Sequence, residues 1–277
     1  MRKQENPRPG SPAVIPRVSL PRERRMITLE VRACRPVSPG FARVTLGGPG
    51  IRHLVPAGAD QAVRLFFPRE GQSELRMPTA SNEAWMAQVL LMPKASRPWV
   101  RNLTIRSLRP EERELDIEFA LHGGSPMTSW VRRVRPGDLA GIFDLGTMYR
   151  PPAHARGRLL VGDESALPAV LSILESDPAP SPAEVFVEVA AAHDFRSVSV
   201  PPGVRVHWLG RDGESPGVRA LEAVRAAALP EGPLYAWVAG ESRLATTVRR
   251  HLVGERGMRK RDVTFCGYWR LGRSAPG

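Results

Sequence analysis

From Met26 to about Gly123 the chain sets apolar against polar residues in short runs: ITLEVRACRPV (27–37), ARVTLGG (42–48), AVRLFF (62–67), VRNLTIRSL (100–108) and ELDIEFALHG (114–123). A period of two puts alternate side chains on one face, so each run predicts a strand. Turn-forming clusters SPGF, GGPG, PREG and RPEE separate them. Strands in quick succession without long helices between them predict an antiparallel barrel or sandwich. The stretch 83–91 (EAWMAQVLL) adds a short helix, and PMTSWVRRVRPGD (126–138) predicts an amphipathic helix ended by Pro136-Gly137.

The rhythm changes after MYRPPAHARG (148–157), which reads as a linker. RLLVGD (158–163), EVFVEVA (184–190), RVHWLG (205–210), YAWVAG (235–240) and VTFCGYWR (263–270) predict strands. ESALPAVLSILES (164–176), GVRALEAVRAAAL (217–229) and ESRLATTVRRHLVGERG (241–257) predict helices, the first with Pro168 in its opening turn, where a missing N–H costs little. Strands alternating with helices predict a mainly parallel sheet covered on both faces. The expected layout is therefore β followed by α/β. A Pro- and Arg-rich tail spans 1–22, a β-rich domain 23–150, a linker 151–157 and an α/β parallel-sheet domain 158–277.

Composition narrows the chemistry. The 277 residues are 42% apolar, enough for a sizeable core, and no apolar run approaches the roughly 20 residues of a membrane-spanning helix. The N-terminus carries charge but no secretory apolar stretch, so a cytoplasmic protein without membrane insertion is expected. Cys34 and Cys266 are too few for a four-cysteine iron–sulfur cluster. The six His form no H-x-x-x-H pattern, so no protein-bound metal is expected. The net charge of +12 comes from Arg scattered through every segment. That favours anionic cofactors and substrates over nucleic acid, for which no recognition motif is present.

Three segments could carry chemistry. In RNLTIR (101–106), Arg101 and Thr104 near a strand end could hold a phosphate and a flavin edge, but the segment taken alone reads first as an ordinary barrel strand with solvated Arg side chains. In HGGSPMTSW (122–130) a Gly-rich turn runs into a helix start among hydroxyls, which fits a pyrophosphate or a plain helix cap. GDESALP (162–168) follows the first parallel strand, and AGES (239–242) the fourth, at the sheet edge where such domains bind ligands. Either turn also serves as a helix cap, and the G-x-G-x-x-G fingerprint is absent.

Together these segments resemble the siderophore-interacting protein family of ferredoxin-reductase-like flavoproteins. RPWVRNLTIR resembles its R-x-Y-T-x-R strand, and HGGSPMTSW its pyrophosphate turn. VGDESALPAV, WVAGESRLATTVRRHL and GYWRLG resemble its G-D-E-T-A-L-P-A, W-x-A-G-E…R-R-H-L and G-Y-W-R-x-G segments. The resemblance covers about 24–273. It implies an antiparallel β-barrel flavin domain, a C-terminal α/β nucleotide domain, and reduction of Fe(III)-siderophore by NADPH or NADH through FAD, in a monomer. It places Arg101, Leu103, Thr104, His122, Gly123, Met127, Thr128 and Ser129 at FAD. Gly162, Asp163, Glu164, Ser165, Gly240 and Glu241 would border NAD(P)H, with Arg211 and Arg243 as candidates near its ribose. Tyr268, Trp269 and Arg270 would line the cleft, and Arg259, Lys260, Arg261, Trp269 and Arg270 would meet the siderophore. Leu103 stands where the family has Tyr, and Asp144-Leu145-Gly146 where Gly-Pro is usual. A flavin reductase with another acceptor, and a non-catalytic ferric-chelate or nucleic-acid binder, are the alternatives.

Overall fold

The computed structural model describes residues 18–176 and 181–273. Its first half is a closed six-stranded antiparallel barrel of β1 (Ile27–Ser38), β2 (Phe41–Gly47), β3 (Ala62–Phe67), β4 (Trp99–Arg109), β5 (Glu114–Ala120) and β6 (Leu139–Gly146), in the order β1-β2-β5-β4-β3-β6. Five strands coincide with the alternating runs. β6 does not, and it closes the barrel by pairing with both β1 and β3. Its sequence LAGIFDLG sets no polar residue among the apolar ones before Asp144, so the period-two alternation is missing.

Helix α1 (Trp85–Leu91) lies in the β3–β4 insert and lays Trp85 and Val89 on Phe66 and Phe143 outside the barrel. Helix α2 (Pro126–Arg133) sends Trp130 into the barrel core, 5.2 Å from Phe67 and 5.8 Å from Phe119 between ring centroids.

The second half is a five-stranded sheet of β7 (Gly157–Asp163), β8 (Ala183–Val189), β9 (Val204–Gly210), β10 (Leu234–Glu241) and β11 (Val263–Trp269), in the order β11-β10-β7-β8-β9, all parallel. Helix α3 (Leu167–Ser176) covers one face; α4 (Val218–Ala226) and α5 (Ser242–Gly254) cover the other. Successive residues of β7 serve the two cores: Leu160 packs with α3, Leu159 and Val161 with α4 and α5. α3 starts three residues later than the pattern predicts, because Glu164–Ala166 form a turn around Asp163.

The halves are joined by polar clasps. Arg106 grips Glu175 of α3 with two bonds of 2.6 and 2.5 Å, and its carbonyl accepts from Ser172 Oγ at 2.9 Å. Fully buried Glu118 pairs with Arg43 (2.5 Å), Arg196 (2.7 Å) and Arg106 (3.7 Å). Asp60, ahead of β3, accepts from Thr147 Oγ1, the Met148 amide (3.0 Å), the Tyr149 amide (2.9 Å) and Trp237 Nε1 (3.1 Å). Of the tail expected at 1–22, residues 1–17 lie outside the described residues. Ser19 exchanges backbone hydrogen bonds with Thr147 at 2.8 and 3.2 Å. Its carbonyl passes so close to Gly146 (φ 73°) that a Cβ there would overlap it.

Candidate functional site

The barrel contributes a phosphate-sized concentration of positive charge. On β4, Trp99 and Arg101 are two residues apart and share a face. Arg69, which follows β3, stacks 3.7 Å above the Trp99 ring, and Arg101 lies 5.3 Å from it. Arg69 Nε donates to the Arg97 carbonyl at 2.7 Å, so two guanidiniums, Arg69 and Arg101, meet at one indole, while the Arg97 guanidinium is held by the Leu90 and Met92 carbonyls. Burial, then the neighbouring Arg69, lowers the Arg101 pKa; burial and Arg97 do the same to Arg69. Among the described residues no carboxylate offsets either one.

Beside this cluster, Leu103 and Met127 are half-buried and pack on the barrel core. The turn at Gly123-Gly124 is open, with nothing within 4 Å of where a Cβ would stand. α2 then begins at Pro126 with Ser125 as N-cap, its Oγ accepting from the Thr128 amide at 3.2 Å. Thr128 is buried, and its hydroxyl turns back to the His122 carbonyl at 3.3 Å, so it shapes the turn rather than facing outward. Uncompensated guanidiniums, an open glycine turn at a helix start, and an apolar wall suit a dinucleotide with a flat aromatic head. These residues fit FAD.

The sheet contributes a network centred on Asp163, which is fully buried at the end of β7. Its Oδ1 accepts from the Ser165 amide (2.9 Å) and Oγ (2.6 Å), and its Oδ2 from the Glu241 amide (2.6 Å) and Trp269 Nε1 (2.8 Å). Burial, then adjacent Glu164, pushes its pKa up to about 6. Gly240, at φ 134°, leaves room for that carboxyl; a Cβ would lie 2.6 Å from Asp163 Cγ. Glu241 caps α5, accepting from the Arg243 amide at 2.5 Å and the Leu244 amide at 3.2 Å. Glu164 receives both prongs of Arg211, at 2.5 and 2.6 Å. Three carboxylates of the expected nucleotide set are thus engaged within the protein.

The two halves meet at this edge. His122, from the barrel turn, stacks on Trp269 at 6.1 Å and 28°, and its Nε2 lies 3.7 Å from Glu164. Tyr268 reaches across to hydrogen-bond Thr104, and its pKa rises well above the usual value through burial and then Asp60. Of the residues singled out in the sequence, His122 and Thr104 of the barrel therefore meet Glu164, Tyr268 and Trp269 of the sheet, Thr128, Asp163 and Glu241 are buried, and Arg270 is exposed next to Trp269.

Arg259, Lys260 and Arg261 are placed elsewhere. They precede β11, whereas Trp269 and Arg270 end it, about 20 Å away along a seven-residue strand. Arg259 is bound there to Asp262 (2.6 Å) and His154 (2.6 Å). Sequence reasoning missed Arg69 and Arg97. The pairing of Trp99 with Arg101 is readable from their spacing, but Arg69 arrives through the β3–β4 register, which aligns Phe67 with Trp99. Among the described residues no group of His, Cys, Asp and Glu could hold a metal ion, and no helix is long and apolar enough to cross a membrane.

Comparison with known proteins bears on both halves. Residues 30–147 match the model of the siderophore-interacting FAD-binding domain, and 155–272 that of the siderophore-interacting protein. A crystal structure of a siderophore utilization protein from T. fusca superposes with a TM-score of 0.81 at 32% identity, covering 93% of this chain and 97% of that one. The ferric vibriobactin reductase ViuB of Vibrio cholerae is 28% identical over 86% of this chain and 87% of its own. The NADPH-dependent ferric-chelate reductase of Escherichia coli is 29% identical over 88% and 93%. The barrel followed by a parallel sheet also occurs in the ferredoxin reductase of carbazole 1,9a-dioxygenase, at a TM-score of 0.62 and 16% identity.

Proposed function

The chain belongs to the siderophore-interacting protein family, and on that premise we propose that it passes electrons from a nicotinamide nucleotide through FAD to iron held as Fe(III)-siderophore, releasing Fe(II). The observation that carries this reading is the edge at which His122 of the barrel meets Trp269 of the sheet and Thr104 faces Tyr268. A donor site on the sheet and a flavin site on the barrel are of use to each other only if they touch. The two named reductases among its relatives support a ferric acceptor.

In this reading Arg101, with Arg69 beside it on Trp99, meets the pyrophosphate charge of FAD. The Gly123-Gly124 turn and the start of α2 admit it closely, with Ser129 in the first turn. Leu103 and Met127 form the apolar wall, and Thr104 and His122 border the ring system. FAD, when bound, accepts two electrons as hydride and returns them singly, so one nicotinamide serves two ferric ions. Leu103 covers a ring with a smaller face than Tyr and no hydroxyl, and the Tyr268 hydroxyl faces neighbouring Thr104 from the other half. Arg270 and the +12 field draw an anionic chelate to the cleft mouth. Hard oxygen donors hold Fe(III) far better than Fe(II), so electron arrival releases the metal without a protein ligand. The Escherichia coli relative is named for NADPH; the nucleotide used here turns on residues at the ends of β8 and β9.

Purified protein should be yellow, bleach anaerobically with NADH or NADPH, and recover colour on adding a ferric chelate while an Fe(II) trap colours. Colourless protein that ignores added FAD would refute the reading. Bleaching with no Fe(II) release would move the acceptor elsewhere.

A further inference from the structure

We propose that the Glu164–Arg211 pair makes this chain selective for NADH over its 2′-phosphorylated counterpart. The inference rests on the nicotinamide-donor reading above and specifies which donor that site takes. In open parallel sheets the dinucleotide lies outside the carboxyl ends of the strands. Its adenosine ribose falls near the end of the strand following the first helix, where an acidic residue accepts from the 2′-hydroxyl or an Arg takes a 2′-phosphate. Here that strand is β8, and the groups at its end and at the end of neighbouring β9 are Glu188 and Arg211.

Arg211 has the type and position of a phosphate-binding residue, but it is committed. Both prongs of its guanidinium go to Glu164, and Glu188 stands 3.5 Å from the same Nη1. Burial alone would lower the Arg211 pKa; the Glu164 bonds and the surrounding carboxylates raise it instead. Glu164 is 2% exposed, and its other ionisable contact is His122 at 3.7 Å. Turning Arg211 toward a phosphate would strand a buried carboxylate, one of the costlier arrangements a protein interior offers. The balance at this edge is three carboxylates (Asp163, Glu164 and Glu188) against one guanidinium. It repels a phosphate dianion and leaves a neutral 2′-hydroxyl unopposed. Arg243 does not change this. It stands exposed in the first turn of α5, after β10, on the far side of β7 from β8 and β9.

The test uses the FAD-loaded protein and its Glu164→Gln and Arg211→Gln variants. Anaerobic flavin reduction gives kcat/KM for NADH and NADPH. Calorimetric titration with NAD+ and NADP+, which cannot reduce the flavin, gives binding independently of turnover. The wild type should favour NADH by at least tenfold and bind NAD+ more tightly than NADP+. Glu164→Gln frees the guanidinium and should raise NADPH relative to NADH by at least tenfold. Arg211→Gln supplies no cation and should keep the NADH preference. Should Glu164→Gln not hold flavin, the wild-type ratio, the two titrations and Arg211→Gln still decide. A wild type that prefers NADPH or treats both alike, or an Arg211→Gln protein that loses NADP+ binding selectively, overturns this inference and leaves the donor reading standing. Reduction by neither nucleotide overturns both.

Discussion

Replacing Gly240 by Ala should come close to unfolding the parallel-sheet half. The added Cβ would lie 2.6, 2.7 and 2.8 Å from Cγ, Oδ2 and Oδ1 of Asp163, and the backbone at φ 134° is one that L side chains rarely adopt. The conformation alone costs about 1–3 kcal/mol. Asp163 cannot move aside freely, because four donors from β7's turn, β10 and β11 hold it. Displacing Oδ2 gives up the bonds from the Glu241 amide and Trp269 Nε1, at about 1.5–3 kcal/mol each for hydrogen bonds to a charged group. The sum, about 5 kcal/mol or more, is comparable with the roughly 5–15 kcal/mol that holds an ordinary domain together. Urea unfolding followed by tryptophan fluorescence reads it directly, since Trp237 and Trp269 lie in this half. Gly254→Ala is the internal control. It ends α5 with nothing within 4 Å of a new Cβ, so the change should be neutral or stabilise by up to about 0.5 kcal/mol. A Gly240→Ala protein within about 1 kcal/mol of wild type would refute the argument that Asp163 is fixed in place.

Asp163 also confers a pH dependence. Its folded-state pKa of about 6 lies above the ordinary 3.8, so between those values the folded protein keeps a proton that the unfolded chain has lost. Stability therefore falls as pH rises from about 4 to 6, by up to about 3 kcal/mol. The wild-type minus Asp163→Asn difference in unfolding free energy should shrink accordingly between pH 4 and 7, and a constant difference counts against it. Arg101→Gln should weaken FAD at least tenfold in a fluorescence titration, while unchanged affinity would put the pyrophosphate elsewhere. Glu118→Ala should cost about 3–5 kcal/mol, because it leaves three guanidiniums round a buried site. Glu175→Gln, at a half-exposed partner of Arg106, should cost less than about 1 kcal/mol. Equal losses would show that burial does not separate the two clasps.

Period-two runs gave away five barrel strands because polar side chains alternate with apolar ones along them, even in β5, where Asp116 and Glu118 are buried and ion-paired. β6 escaped because LAGIFDLG has apolar or glycine residues on both faces and a lone charge at Asp144. The same physics limits the site. Asp163, Glu164, Ser165, Gly240 and Glu241 could be placed at a strand–helix edge from the sequence, since the βα rhythm fixes which end of each strand they occupy. That Asp163 accepts from four groups, that Glu241 spends its carboxylate on its own helix, and that Arg211 closes on Glu164 are facts of side-chain direction across β7, β9 and β10. No spacing along one strand encodes them. Arg106 shows the converse. It sits in a ligand-like motif, yet it ties β4 to α3. Arg259, Lys260 and Arg261 are a basic run near the cleft in sequence and a strand's length from it in space.

The two family models part between residues 147 and 155, where a protein engineer would cut to graft one barrel onto another sheet. The Asp60 carboxylate lies on one side of that cut, and the Met148 and Tyr149 amides and the Trp237 indole on the other. A chimera joined there would inherit a buried anion from one parent and depend on the second for nearly all its donors. Exchange should therefore succeed where the incoming half brings an indole at the position of Trp237. A barrel expressed alone should be rescued by neutralising Asp60, which makes that residue the place to begin when separating this protein into portable parts.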